Sequence, residues 1–278
     1  MYILDTFAIQ VNILADKVLI GVCHGQTVFA DFMWSLISLE KPEGTNLYPV
    51  GTTTLLEQGR NEICKGGVNG GYSHVFFIDS DNTLRADALR VLLSRNADIV
   101  TGIYPYKSPR AGPTPVLKKK TKEGKYEDMT DFNEKGPPFE VDGCGSGCLL
   151  IKTEVLKKMG YPFFKTEVDK DKNYTGEDIY FCKKAQGVGF KILADPSVLV
   201  GHLDTIEFTL EQFFAQRDKK RQFLDGNPKQ EFQIKCVKCG KGFTDSMEGE
   251  MLWNWWFGNR NTMRVVTVCP HCKTEQDF

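Results

Sequence analysis

At 278 residues the chain has room for one full α/β domain and an accessory module. Its composition, 41% hydrophobic and 26% charged, is that of an ordinary globular protein, and a net charge of −1 argues against a protein that coats nucleic acid or an anionic membrane through its overall field. No apolar run reaches the roughly 20 residues of a membrane-spanning helix, and Asp5, with no basic segment ahead of it, speaks against a signal peptide in MYILDTFAIQVNILADK.

Taken in chain order, Lys17 to Val22 (KVLIGV) is a short apolar run ended by Gly25 and predicts a buried strand. In VFADFMWSLISL, Phe29, Phe32, Met33 and Leu36 recur at helical spacing. TTLLEQGRNEICKGGVNGG predicts a helix closed by glycines, and His74 to Ile78 (HVFFI) a second strand. The helix RADALRVLLSR and the strand ADIVTGIY follow, and this alternation implies βαβ units around a mostly parallel sheet. Pro105 to Pro138, rich in Pro, Gly, Lys and Asp, predicts a long loop region. Order returns with the strand CLLIK, the helices TEVLKKMG and EDIYFCKKAQGVG and the strand KILADPSVLVGH. TIEFTLEQFFAQRDKKRQFL predicts a closing amphipathic helix, and Gly226-Asn227-Pro228 breaks it, which sets a boundary between domains 1–226 and 227–278.

Asp79-Ser80-Asp81 follows directly from HVFFI. Residues two apart in an extended segment share a face, so both carboxylates can converge at the carboxyl end of a strand, where open α/β sheets bind ligands. Two hard oxygen ligands there suit Mg²⁺ or Mn²⁺ bridging a diphosphate. The competing reading is a plain turn, because Asp, Ser and Asn are all turn residues.

Three further features bear on that choice. Gly143-Cys144-Gly145-Ser146-Gly147 precedes a strand, the reverse of the dinucleotide-binding order, and can let backbone pass close to a substrate. Gly176-Glu177-Asp178 opens a helix, where acidic residues serve the dipole and where Asp178 could also act as a general base. His202 follows the strand SVLVG, and an imidazole beside two carboxylates tilts metal preference toward Mn²⁺.

In this order the features resemble the GT-A glycosyltransferases, particularly the large family-2-like group, over roughly Lys17 to Phe214. The resemblance implies an α/β fold of GT-A type, a Rossmann-like domain with a mostly parallel central sheet. It implies an aspartate-x-aspartate motif at Asp79 and Asp81 holding metal and sugar-nucleotide, and His202 as the late metal-binding histidine. The glycine-rich loop falls at Gly143 to Gly147, with Gly145 and Ser146 beside the donor, and the x-Glu-Asp motif puts Glu177 and Asp178 at the catalytic positions. Arg60 and Asn61, on the helix before the metal strand, match a recurring pair read as nucleotide or phosphate contacts, with a solvent-facing helix end as the equal alternative. The implied reaction is metal-assisted sugar transfer from a nucleoside-diphosphate sugar, with inversion favoured and Asp178 as base.

The second metal call rests on spacing alone. Nine cysteines is a high count, and Cys236-x-x-Cys239 and Cys269-x-x-Cys272 suit a closed tetrahedral structural Zn²⁺ site in a zinc ribbon. Such a module is too short to fold on its apolar residues, and metal binding supplies the difference. The other five cysteines show no disulfide-like spacing, so a reducing cytoplasm is the expected location. Between the knuckles, Trp253-Asn254-Trp255-Trp256-Phe257 is read first as packing and second as a stacking surface.

The acceptor stays open: glycan, lipid-linked, protein or DNA. Lys107, Arg110, Lys118, Lys119, Lys120, Lys122 and Lys125 stand against the single acid Glu123, so a DNA-modifying glycosyltransferase acting on a modified nucleobase is a standing alternative to a solvated loop. A nucleotidyltransferase is disfavoured because CHGQTVFADF lacks a Gly-rich, Arg-containing loop after the first strand.

Overall fold

The structure, a computed structural model, describes residues 16–51, 55–107, 113–168, 170, 172, 174–204, 207–226, 229–236, 238–248, 266–268, 270–273 and 275–277. Two compact units are present, Met1–Gln212 and Phe213–Phe278. The division falls inside the closing helix, whereas the sequence boundary is drawn at its end, after Gly226.

The first unit opens with β1 (Val18–His24), α1 (Ala30–Ser38), β2 (Asn46–Gly51), α2 (Leu56–Asn69) and β3 (His74–Ile78). After it come β4 (Asn82–Thr83), α3 (Ala88–Ser94), β5 (Ile99–Ile103), β6 (Leu117–Lys120), β7 (Tyr126–Asp128), β8 (Phe139–Val141) and β9 (Gly143–Cys144). The remainder is β10 (Cys148–Lys152), α4 (Thr153–Met159), β11 (Glu167–Val168), β12 (Tyr174–Thr175), α5 (Glu177–Gly187), β13 (Ile192–Leu199), β14 (Gly201–Leu203), β15 (Glu207–Phe208) and the start of α6 (Leu210–Gly226).

Seven strands form the central sheet in the order β2-β1-β3-β10-β5-β13-β8. Five run in one direction, while β10 and β8 run against them. Strands β1, β3, β5 and β10 are buried almost throughout, as expected when helices cover both faces and the sequence reads as continuous apolar runs. Alternation divides the residues: Val18, Ile20, Val22, Phe76 and Ile78 pack with Phe32 and Leu36 of α1 and Leu89 and Leu92 of α3. The other face receives α2, where Gly21 and Gly67 allow close approach. A Cβ on either would lie 2.3 Å from Ile63 or Val75. This contact seats Arg60 and Asn61 under the ends of β1 and β3.

Two departures from the sequence reading have simple causes. β2 reads poorly because it is an edge strand, with Pro49 inside it and alternate residues exposed. The stretch from Pro105 to Pro138 is not one long loop, since β6 and β7 form a hairpin joined to β9 in a three-stranded sheet. Its lysines hide the pattern: Lys118 and Lys119 lie opposite Asp128 and Glu127, so charge pairing across the strands replaces apolar alternation. Among the described residues no helix is long and apolar enough to cross a membrane.

In the second unit β16 (Lys229–Lys235) pairs antiparallel with β17 (Gly242–Glu248), and β18 (Val266–Val268) with β19 (Glu275–Asp277). Arg110, Trp253, Trp255, Trp256, Phe257 and Cys269 lie outside the described residues.

Candidate active site

Topology alone brings the predicted motifs together. Because β10 runs antiparallel to β3, its first residue, Cys148, faces Ile78, the last of β3. The glycine stretch entering β10 therefore meets the Asp79-Ser80-Asp81 turn leaving β3. Asp79 N–H donates to the Gly147 carbonyl at 3.1 Å and the Asn82 side-chain amide donates to the same oxygen at 2.8 Å. His202 arrives through β14, which pairs with β4 so that His202 stands opposite Asn82. The first turn of α5 brings Glu177 and Asp178.

Arg60 is the hub. Only 2% exposed, its guanidinium donates to Glu177 Oε1 at 2.7 Å, to Asp178 Oδ1, and to Asp79 Oδ1 at 3.2 Å. One cation thus joins the strand-end aspartate to the helix-start acids, and burial of the charged fork is offset by three carboxylates, which hold Arg60 protonated well above its usual range. Ser146, fully buried, donates its hydroxyl to Asp178 Oδ1 at 2.6 Å. Asp178 is pushed up to about 6, first by burial and then by the neighbouring Glu177 and Asp79 charges, against the opposing pull of Arg60 and Ser146. A carboxylate so placed is near the range of a working general base.

Asn61 has a different task from the one its sequence position suggests. Its side chain accepts from the N–H groups of Phe163 and Phe164 at 2.8 and 3.1 Å and donates to the Phe164 carbonyl at 2.7 Å. That fixes Phe164, whose ring stacks on Phe181 of α5 at 4.8 Å and meets Phe77 of β3 edge-on at 5.4 Å. Asn61 therefore sets the spacing between α2, β3 and the helix that carries Asp178.

Asp81 and His202 come together on the other side of the turn. His202 Nδ1 is 2.8 Å from the Pro105 carbonyl, which can only accept, so this nitrogen carries the hydrogen and Nε2 faces Asp81 Oδ2 at 3.5 Å. Lys107 Nζ lies 2.5 Å from the same oxygen. Burial works to raise Asp81, but hydrogen bonds from His202 and Lys107 outweigh it and hold the carboxyl down at about 2. A carboxylate oxygen beside an imidazole oriented through its far nitrogen is a donor pair that suits Mn²⁺ or Mg²⁺. Asp79 does not join them, being turned onto Arg60. Among the described residues only Cys236, Cys239 and Cys272 bring three such ligand atoms within 4.8 Å of one another.

The glycines have steric reasons. A Cβ at Gly147 would stand 2.5 Å from Asn82 Nδ2 and 2.9 Å from both Asp79 Oδ2 and Tyr104 Cζ, and one at Gly145 would be 2.0 Å from the Tyr104 hydroxyl. Gly147→Ala is accordingly expected to displace the Asp79 turn and lower stability by about 1–3 kcal/mol. Gly25→Ala, with nothing within 4 Å of the added atom, should leave the melting temperature unchanged. Thermal denaturation of the two variants side by side reads the difference. Sequence reading missed Tyr104, a buried residue whose hydroxyl accepts from Gly147 N–H at 2.9 Å, and did not single out Lys107. The only signal for Tyr104 is its place just past the end of β5.

In the second unit the thiols of Cys236 and Cys272 are 3.6 Å apart, near the separation of about 3.8 Å that Zn–S bonds of 2.3 Å give in a tetrahedron. Cys239 N–H points at Cys236 Sγ at 3.5 Å, and Gly240, at φ +70°, turns its N–H back to the Cys236 carbonyl at 2.9 Å. His271 is outside this group and lies 3.4 Å from the Gly242 carbonyl.

By sequence the chain matches no protein-family model and no curated protein. By structure it is similar to A197 from STIV, at 21% identity over 68% of this chain and 86% of that one, with a TM-score of 0.50. Weaker likeness extends to GalNAc-T7, crystallised with UDP, GalNAc and Mn²⁺, at 13% identity over 68% of this chain and 44% of that one and a TM-score of 0.47. For S. aureus TarS in complex with UDP-GlcNAc the values are 16% identity, 64% of this chain, 55% of that chain and a TM-score of 0.43. The chain thus matches about half the length of these last two. With its mostly parallel sheet, the first unit has the GT-A fold.

Proposed function

We propose that the chain is a metal-dependent glycosyltransferase that moves a sugar from a nucleoside-diphosphate sugar to an acceptor hydroxyl. The observation that carries this reading is the acidic turn at the carboxyl end of β3, where Arg60 ties Asp79 to Asp178 on one side and Asp81 faces His202 on the other. Asp81 and His202 would hold Mn²⁺ or Mg²⁺, with donor phosphates filling other positions and Asp79 joining if it leaves Arg60. The metal supplies charge that offsets the departing diphosphate. Asp178 takes the proton of the acceptor hydroxyl as that oxygen attacks the anomeric carbon, in a single inverting displacement. Ser146 and Arg60 keep the base oriented, and Glu177 shares the guanidinium.

Turnover of a panel of nucleoside-diphosphate sugars, followed as nucleotide release with and without Mn²⁺, tests the reading. Metal-dependent release from at least one donor, lost in Asp81→Asn, is the expected result. No turnover and no binding of any donor with metal present would count against it. The DNA-modifying alternative gains no specific support: Lys118 pairs with Asp128 at 2.6 Å and Lys107 with Asp81, so two of the basic residues that suggested it serve other partners.

The cysteine cluster is read as a structural zinc site, with Cys269 as the fourth thiolate. Treatment with a thiol-reactive mercurial should release about one equivalent of zinc per chain, and Cys236→Ser should lower that content and unfold the second unit without removing the fold of the first. Zinc content unchanged in the variant would refute the assignment. Burial raises the Cys23 and Cys148 thiols to about 11 and about 12, which keeps them protonated and inert.

A further inference from the structure

Two groups converge on one oxygen of Asp81. Lys107 Nζ is 2.5 Å from Oδ2, and His202 Nε2 is 3.5 Å from it. The Lys107 ammonium supplies a positive charge directly on this carboxylate oxygen. The position is built by the backbone. Val116 N–H donates to the Tyr104 carbonyl at 2.9 Å and Tyr106 N–H to the Thr114 carbonyl at 2.7 Å, which fixes the strand-like segment from Tyr104 to Tyr106 immediately before Lys107. Within that same segment, the Pro105 carbonyl orients His202. Three consecutive residues thus orient one metal-ligand candidate and deliver a cation to the other.

An ammonium and a divalent cation on this one oxygen compete for its charge and repel each other at such separations. Lysine is a compact charge on a flexible four-carbon stem, able to leave without moving the backbone. Metal arriving alone must displace it into water. Metal arriving with a diphosphate brings phosphate oxygens that give the ammonium a new partner.

We propose that Lys107 is a resident counter-cation for the donor site, holding the Asp81 position in the free protein and passing to the diphosphate when metal and donor enter. This rests on the metal-dependent reading above. Its consequence is coupling: the site binds bare metal weakly and metal together with diphosphate strongly, by linkage through one side chain.

The test measures binding in the full chain, with Mn²⁺ counted by electron paramagnetic resonance and pyrophosphate, in saturating Mn²⁺, by calorimetry. Lys107→Ala is expected to bind Mn²⁺ alone about fivefold more tightly than wild type and pyrophosphate with Mn²⁺ about tenfold more weakly. Lys107→Arg, which keeps the charge, should stay near wild type in both. Opposite signs in the two measurements are the signature. Changes of the same sign in both, or no change in either, overturn the proposal. Asp81→Asn separates the two failures: if it binds Mn²⁺ as wild type does, the metal site itself is misassigned and the role of Lys107 falls with it.

Discussion

Replacing Arg60 with methionine is expected to destabilise the first unit by roughly 3 kcal/mol or more at pH 7.5 and to abolish donor turnover. Methionine fills much of the space of the aliphatic stem, so the loss reports charge more than volume. The guanidinium is nearly inaccessible and faces Asp79, Glu177 and Asp178, whose side chains are each less than a third exposed. Without it, three carboxylates confront one another with no cation between them. At about 2–4 °C per kcal/mol for a unit of this size, the melting temperature should fall by about 6–12 °C. The pH dependence identifies the cause. In the variant Asp178, already raised by burial, loses the Arg60 charge that pulls it down, so the penalty is present at neutral pH and shrinks as that carboxyl takes up a proton on acidification. The gap between wild type and variant should therefore narrow from pH 7.5 to pH 5 in paired denaturation curves. An equal gap at both values would mean that Arg60 acts through packing alone.

What could be read from the sequence follows what local chemistry writes into it. HVFFI is buried on both faces and is predicted with the bounds the structure gives. The Asp79-Ser80-Asp81 turn follows from that strand, and the glycine stretch from the strand Cys148–Lys152 after it. Partner choice is a different matter. Arg60 and Asn61 stand out as a polar pair on a helix, but their direction is set by Glu177 and Asp178, more than a hundred residues away, and by the backbone of Phe163 and Phe164. Nothing local to Arg60 says that it faces inward. Lys107 was hidden for the opposite reason: it sits among lysines that resemble a solvated run, and only the strand-like backbone pairing before it places it at Asp81. The edge strand Asn46–Gly51 and the hairpin Leu117–Asp128 escaped because strands with little burial carry no apolar alternation.

Asp178→Asn is expected to lower kcat/KM by about 10²–10⁴-fold while leaving donor binding close to wild type. Asparagine keeps an oxygen to accept the Ser146 hydroxyl but cannot take a proton. In the wild type, kcat/KM should rise with pH through about 6 and then level off, because Asp178 works only when ionised and its carboxyl is raised to about 6 by burial and by the charges of Glu177 and Asp79. Below that point the loss should approach tenfold per pH unit. Ser146→Ala separates a base from a merely structural carboxylate. Its hydroxyl donates to the charged form, so removing it should push Asp178 higher and move the acidic limb of the profile to higher pH, with the plateau reduced less than in Asp178→Asn. The same raised carboxyl costs stability at neutral pH, since the folded state disfavours its charge, and that cost disappears as pH falls below its folded value. A purely structural acid would gain nothing from such an arrangement. If Ser146→Ala leaves the limb where it is, Asp178 is not the group whose ionisation sets the rate.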